Sequence, residues 1–120
     1  MMSEPQRSPF NRQTALQRIG GDERLLHDLA AFYVVDAPVL LSQLKDAVPQ
    51  GDAEAVMHAA HTLKSLSANF DAHQAVALAG VMERAGRSGD LTVATDLVSE
   101  LEAAVAAVIG SLQAAYHDLV

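Results

Sequence analysis

Three times in this chain a glycine is followed by an aspartate, at Gly21-Asp22, Gly51-Asp52 and Gly89-Asp90. Each pair falls between runs of apolar residues at helical spacing. Glycine closes a helix by taking the left-handed conformation, and aspartate opens the next by accepting from its free backbone N–H groups. The punctuation therefore cuts the chain into helices joined by very short connections. Consecutive helices so joined are antiparallel neighbours, and the expected fold is all-α, an up-down four-helix bundle.

The first segment, Asn11 to Ile19, is short and has Leu16 and Ile19 as its apolar pair, so an extra N-terminal helix precedes the four. The second carries Leu25, Leu26, Leu29, Phe32 and Tyr33, then Val39, Leu40, Leu41, Leu44 and Val48. Pro38 lies between the two sets and is expected to kink or restart the helix near Asp36-Ala37, because proline lacks a backbone donor. Val48 to Asp52 is the next break. A third helix is predicted over roughly Ala53 to Asn69, a tight connection at Asp71 to Gln74, and a fourth helix from about His73 to Arg87. Asp90 is expected to cap a long fifth helix with the stripe Ala94, Leu97, Leu101, Val105, Val108, Leu112, Ala115 and Leu119, bent at Gly110. No segment shows the alternation of a half-buried strand. Residues 1–10 (MMSEPQRSPF) read as a disordered leader and residues 11–120 as one domain.

Composition narrows the function. Half the residues are hydrophobic but 4% are aromatic, which favours closely packed helices. There is no cysteine, so disulfides, thiolate zinc sites and cysteine nucleophiles are excluded. The net charge is −7 and the eight basic residues are scattered, which argues against a nucleic-acid partner. No uninterrupted apolar run approaches the ~20 residues of a membrane span, and the N-terminus has no signal-peptide core. A cytoplasmic protein with no membrane partner is the expectation.

The stretch His58 to Phe70, HAAHTLKSLSANF, holds the candidate chemistry. At 100° per residue, Val56, Ala60, Leu63, Ser67 and Phe70 fall together and, with Ala59 and Leu66, form the buried stripe. His61 falls opposite, in mid-helix, beside Glu54, Met57, His58, Lys64, Ser65 and Ala68. From geometry alone it reads first as a solvated surface residue. His58 and His61 with Glu54 offer at most an incomplete metal set, since zinc sites need three or four converging ligands. On the fourth helix Ala75, Leu78, Met82 and Ala85 form the apolar stripe. Val76, Gly80, Glu83 and Arg87 flank it, and that strip can lie beside His61 if the two helices pack antiparallel. Taken alone, Glu83 and Arg87 are a one-turn surface ion pair.

The run Ala60-His61-Thr62-Leu63-Lys64-Ser65, set in mid-helix between helices in register, resembles the histidine-containing phosphotransfer (HPt) domain family. The resemblance extends over Gly20 to Val48, with its aspartate-x-proline step, and so over nearly the whole chain after residue 10. It implies that His61 is the phosphoacceptor and that Lys64 neutralises the phosphoryl oxygens. It further implies that Glu83 orients the imidazole through the other ring nitrogen and that Arg87 adds positive charge. Two positions depart from the family pattern: Ser65 stands where the family has glycine after the lysine, and Asp71 where glycine is usual at the helix connection.

With no phosphate-cradling glycine loop or nucleotide motif, the chain is expected to be a phosphocarrier without autokinase activity. The resemblance implies reversible transfer between His61 and an aspartate of a response-regulator receiver domain, with hybrid sensor kinases as further partners. No cofactor is expected on this chain; the receiver would supply Mg²⁺. The partner is expected to dock over Met57, His58, Ser65 and Ala68, with the exposed side of the second helix beside them, on a monomer. The initiating methionine and leader favour a free-standing carrier over the terminal domain of a hybrid kinase. The rival readings are a helical docking or inhibitory module without phosphotransfer, and a helical dimer formed through the same patch.

Overall fold

The computed structural model describes residues 9–119. Among them are five helices and no strand: α1 (Arg12–Arg18), α2 (Glu23–Gln50), α3 (Ala53–Ala68), α4 (His73–Ser88) and α5 (Thr92–Ala115). The last four form the antiparallel bundle, with α2 and α5 each packed against one member of the α3/α4 pair and against each other.

The glycine-aspartate punctuation works as the sequence implied at two of its three positions. Asp22 accepts from Leu25 N–H at 3.0 Å and Asp52 from Ala55 N–H at 3.1 Å. Gly51 and Gly89 close the preceding helices at φ of 70° and 84°. Asp90 differs: the helix begins one residue later, with Leu91 at the cap position, and Asp90 accepts instead from the backbone N–H and hydroxyl of Thr92. Asp71 is the only residue other than glycine with positive φ among the described residues, at 56°. Aspartate tolerates that conformation, and its carboxylate is held by Thr14 Oγ1 at 2.6 Å and Arg18 at 2.5 Å. Those bonds, Thr14 first, keep the Asp71 pKa below the usual carboxylate value.

The predicted restart at Pro38 does not occur. The second helix runs unbroken through Pro38 and on to Gln50, with Pro49 in its last turn. Pro38 forfeits one backbone bond, to the Val34 carbonyl, but stands on the exposed side while Tyr33, Ala37 and Leu41 around it are buried. Packing of that face outweighs one missing bond. Three residues of the predicted apolar stripe, Leu25, Phe32 and Val39, point outward, and Ala30, Ala37 and Ala47 take the buried places. By length and mean hydropathy alone α2 could cross a membrane, but Asp28, Asp36, Lys45 and Asp46 interrupt its apolar residues and its buried face is one wall of the bundle core. Helix α5 passes Gly110 without interruption and ends before Leu119, which lies outside it.

Phe10, assigned by sequence to the leader, is buried and meets Phe70 edge-on at 5.7 Å between ring centroids. The leader expectation for residues 1–8 lies outside the described residues. Phe70 in turn meets Tyr33 at 5.3 Å, and the Tyr33 hydroxyl shares a hydrogen bond of 2.9 Å with Ser67 Oγ. Ser67 and Tyr33 are both fully buried, and burial pushes the phenol pKa up to about 12. Tyr33→Phe strands the Ser67 hydroxyl and is expected to lower stability by about 1 kcal/mol. Adding Ser67→Ala should recover part of that loss in urea denaturation, because both polar ends of the bond are then gone.

Candidate functional site

Helices α3 and α4 share the most extensive contact in the molecule. The reason is a row of small residues: Ala75, Ala79 and Gly86 are all buried along α4. Gly86 sits so near α3 that a β-carbon there would lie 2.6 Å from Met57 N and 2.7 Å from Ala53 O. This close approach brings Glu83, one turn before Gly86, onto the side of α3 that carries His61 and Lys64. The sequence placed Glu83 on a flanking strip. In the structure it is buried, its side chain 5% exposed, while Leu78 of the predicted stripe is half-buried.

The carboxylate of Glu83 is shared three ways. Oε2 accepts from His61 Nδ1 at 2.8 Å and from Arg87 Nη2 at 3.1 Å, and Oε1 pairs with Lys64 Nζ at 2.5 Å. A buried carboxylate is tolerable only with such partners. The Lys64 bond, then the His61 bond, outweigh desolvation and pull the Glu83 pKa down from 4.5 to about 2. Glu83 is therefore ionised and can only accept, which fixes the tautomer of the neutral ring. Nδ1 carries the hydrogen and Nε2 is left with a free lone pair. The His61 side chain is 59% exposed, so its outer nitrogen is open to an approaching group.

All four residues singled out for chemistry thus meet at one carboxylate. The four proposed docking residues lie on the same side of α3: His58 and Ser65 exposed, Met57 and Ala68 half-buried. Alongside runs an apolar strip on α2, where Phe32, Val35 and Val39 are more than half exposed. A shallow depression lined by Asp36, Val39, Leu40, Thr62 and Leu66 joins the strip to α3. The sequence reading expected the exposed side of this helix beside the docking patch but listed Phe32 and Val39 only among the apolar residues at helical spacing, without assigning them to that side; a helix apolar on two faces is the signal that could have found the strip. Among the described residues no cluster of three or more His, Asp or Glu side chains could hold a metal ion.

A family model of the Hpt domain matches residues 28–111. The chain belongs to the Hpt domain family. A solved structure with the same architecture is histidine-containing phosphotransfer protein B (HptB) from Pseudomonas aeruginosa PAO1. It superimposes with a TM-score of 0.78 at 26% identity, covering 87% of this chain and 90% of that one. A search of curated proteins found no match. As an Hpt domain the chain serves histidine phosphotransfer in phosphorelays, a phosphocarrier role in which such domains work with response regulators and kinases. The four-helix bundle with an added N-terminal helix is the Hpt fold expected from the sequence.

The ion-paired carboxylate makes one acid-side prediction. A carboxylate pKa lowered on folding contributes stability that is complete above its ordinary value of 4.5 and disappears as pH falls through about 2. The margin in melting temperature of the wild type over Glu83→Gln should therefore narrow on acidification from about pH 5 to about pH 2. A margin that stays constant across that window would show that Glu83 is not the titrating group.

Proposed function

We propose that His61 is the phosphoacceptor and that it exchanges its phosphoryl group with an aspartate on a response-regulator receiver domain. One observation carries this reading: an exposed imidazole whose inner nitrogen donates to a buried, ionised glutamate, leaving the outer nitrogen as nucleophile. In the forward step the Nε2 lone pair attacks phosphorus and an N–P bond forms. The O–P bond to the partner's aspartate breaks, and its electron pair leaves with the carboxylate. Glu83 holds the Nδ1 proton throughout and offsets the positive charge that develops on the ring.

Lys64 and Arg87 flank the reacting end and supply positive charge to the phosphoryl oxygens. The site does not itself suit Mg²⁺, since its single carboxylate is already engaged by two cations. The Mg²⁺ that such a transfer uses is held by the partner, whose carboxylates are the hard oxygen ligands it prefers. This chain contributes no autokinase step. Docking covers Met57, His58, Ser65 and Ala68 and extends onto the apolar strip of α2, and the carrier acts as a cytoplasmic monomer. Serine in place of glycine at Ser65 adds little bulk to that surface.

The test is incubation of the purified protein with a phosphorylated receiver domain and Mg²⁺, read by intact mass. The expected result is a gain of one phosphoryl group that is lost in acid and kept in base, as a phosphoramidate requires. No gain with any of several receivers, from protein that is folded, would replace this reading with that of a docking module.

A further inference from the structure

Among the described residues, every lysine and arginine but two sits in an ion pair; the exceptions are Arg24 and Arg84. Arg84 is exposed, yet it stands inside the cluster just described. Gly80, Glu83, Arg84 and Arg87 are three and four residues apart and so neighbour one another on α4. A helical side chain leans toward the N-terminus of its helix, which carries Arg84 back over Gly80. There a β-carbon on Gly80 would meet Arg84 Nη1 at 3.6 Å and Lys64 Cδ at 3.7 Å. The missing side chain at Gly80 thus leaves a notch in which the guanidinium of Arg84 lies beside the stem of Lys64. The site holds three cations against one carboxylate, on a chain whose net charge is −7.

The three cations are not equivalent. Lys64 and Arg87 already donate to Glu83, whereas Arg84 has all five of its N–H donors uncommitted. Its head lies level with Gly80, about one helical turn from the level of His61. That places it at the rim of the reacting centre, where it faces whatever surrounds the phosphoryl donor or acceptor. A protein that forms an aspartyl phosphate with Mg²⁺ must present carboxylates there, as nucleophile and as metal ligands. We propose that Arg84 is a specificity-determining residue that pairs with a carboxylate on the partner at the edge of its phosphorylation site. It draws an acidic partner toward one end of an otherwise repelling molecule. This rests on the phosphotransfer reading above and adds a residue to it.

The test is the salt dependence of kcat/KM for transfer from a phosphorylated receiver. It compares wild type with Arg84→Ala, Arg84→Lys and Arg84→Glu. Arg24→Glu serves as a control: it makes the same change in net charge, but near the far end of α2, roughly 25 Å along the helix axis from the level of His61. Arg84→Glu is expected to lower kcat/KM about tenfold at low salt, through KM and not kcat, with the loss shrinking as salt is added. Arg84→Lys should restore most of the loss and Arg24→Glu should cause little. An unchanged kcat/KM in Arg84→Glu, or an equal loss in Arg24→Glu, overturns the assignment and leaves the phosphotransfer reading standing. Failure of the wild type to take up phosphate overturns that reading, and this inference with it.

Discussion

His61→Gln is expected to abolish phosphoryl uptake, to below detection, while leaving the fold and the affinity for the receiver close to wild type. Glutamine has no nitrogen that can attack phosphorus, because the amide lone pair is delocalised into the carbonyl. The loss is therefore chemical and complete. The structural loss is small for three reasons. His61 is mostly exposed, its side chain makes one hydrogen bond, and the Glu83 it leaves behind still has Lys64 and Arg87. The glutamine amide can also donate to Glu83 in place of Nδ1. An exposed substitution of this kind changes stability by about 0.5 kcal/mol or less. Intact mass after incubation with a phosphorylated receiver reads the first effect, and calorimetric titration with the unphosphorylated receiver reads the second. Uptake that survives in His61→Gln would move the phosphoacceptor elsewhere. Loss of binding along with transfer would make His61 a docking residue and weaken its role as carrier.

Much of this architecture was legible because it rests on local rules. Glycine and aspartate at Gly21-Asp22 and Gly51-Asp52 mark helix ends through backbone chemistry that needs no knowledge of the neighbours. The orientation of His61 followed from the period of α3 alone, since the buried residues Val56, Ala59, Ala60, Leu63 and Ser67 are the ones that the wheel selects. What was not legible depends on which helix lies opposite. The outward turn of Phe32 and Val39 is fixed by where α3 and α5 sit against α2, and a wheel drawn on α2 alone cannot choose between two apolar faces. The persistence of α2 through Pro38 is a tertiary result as well. Glu83 is the clearest case. Its spacing from Arg87 marks an ordinary surface pair, and only the approach of α3 buries it and adds Lys64 and His61 to its partners. The site is thus composed by a helix crossing, and the residue that sets that crossing carries no chemistry.

Gly86→Ala tests this dependence and is expected to destabilise the protein by roughly 1–3 kcal/mol, although alanine is the better helix former. At an unconstrained helical site the exchange gains up to about 1 kcal/mol. At Gly86 the added methyl would stand 2.6 Å from Met57 N, 2.7 Å from Ala53 O and 2.9 Å from Met57 Cα. All three are backbone atoms, so no side chain can rotate aside, and α3 and α4 must separate. That separation also loosens the hold of Glu83 on His61 and Lys64, so transfer should slow along with the loss of stability. Gly110→Ala provides the contrast: nothing lies within 4 Å of the new methyl, and it should stabilise the protein. Urea denaturation of both variants gives opposite signs if helix spacing governs Gly86. If both are stabilised, α3 and α4 have room to spare, and the burial of Glu83 must be set by its ion partners and not by the crossing.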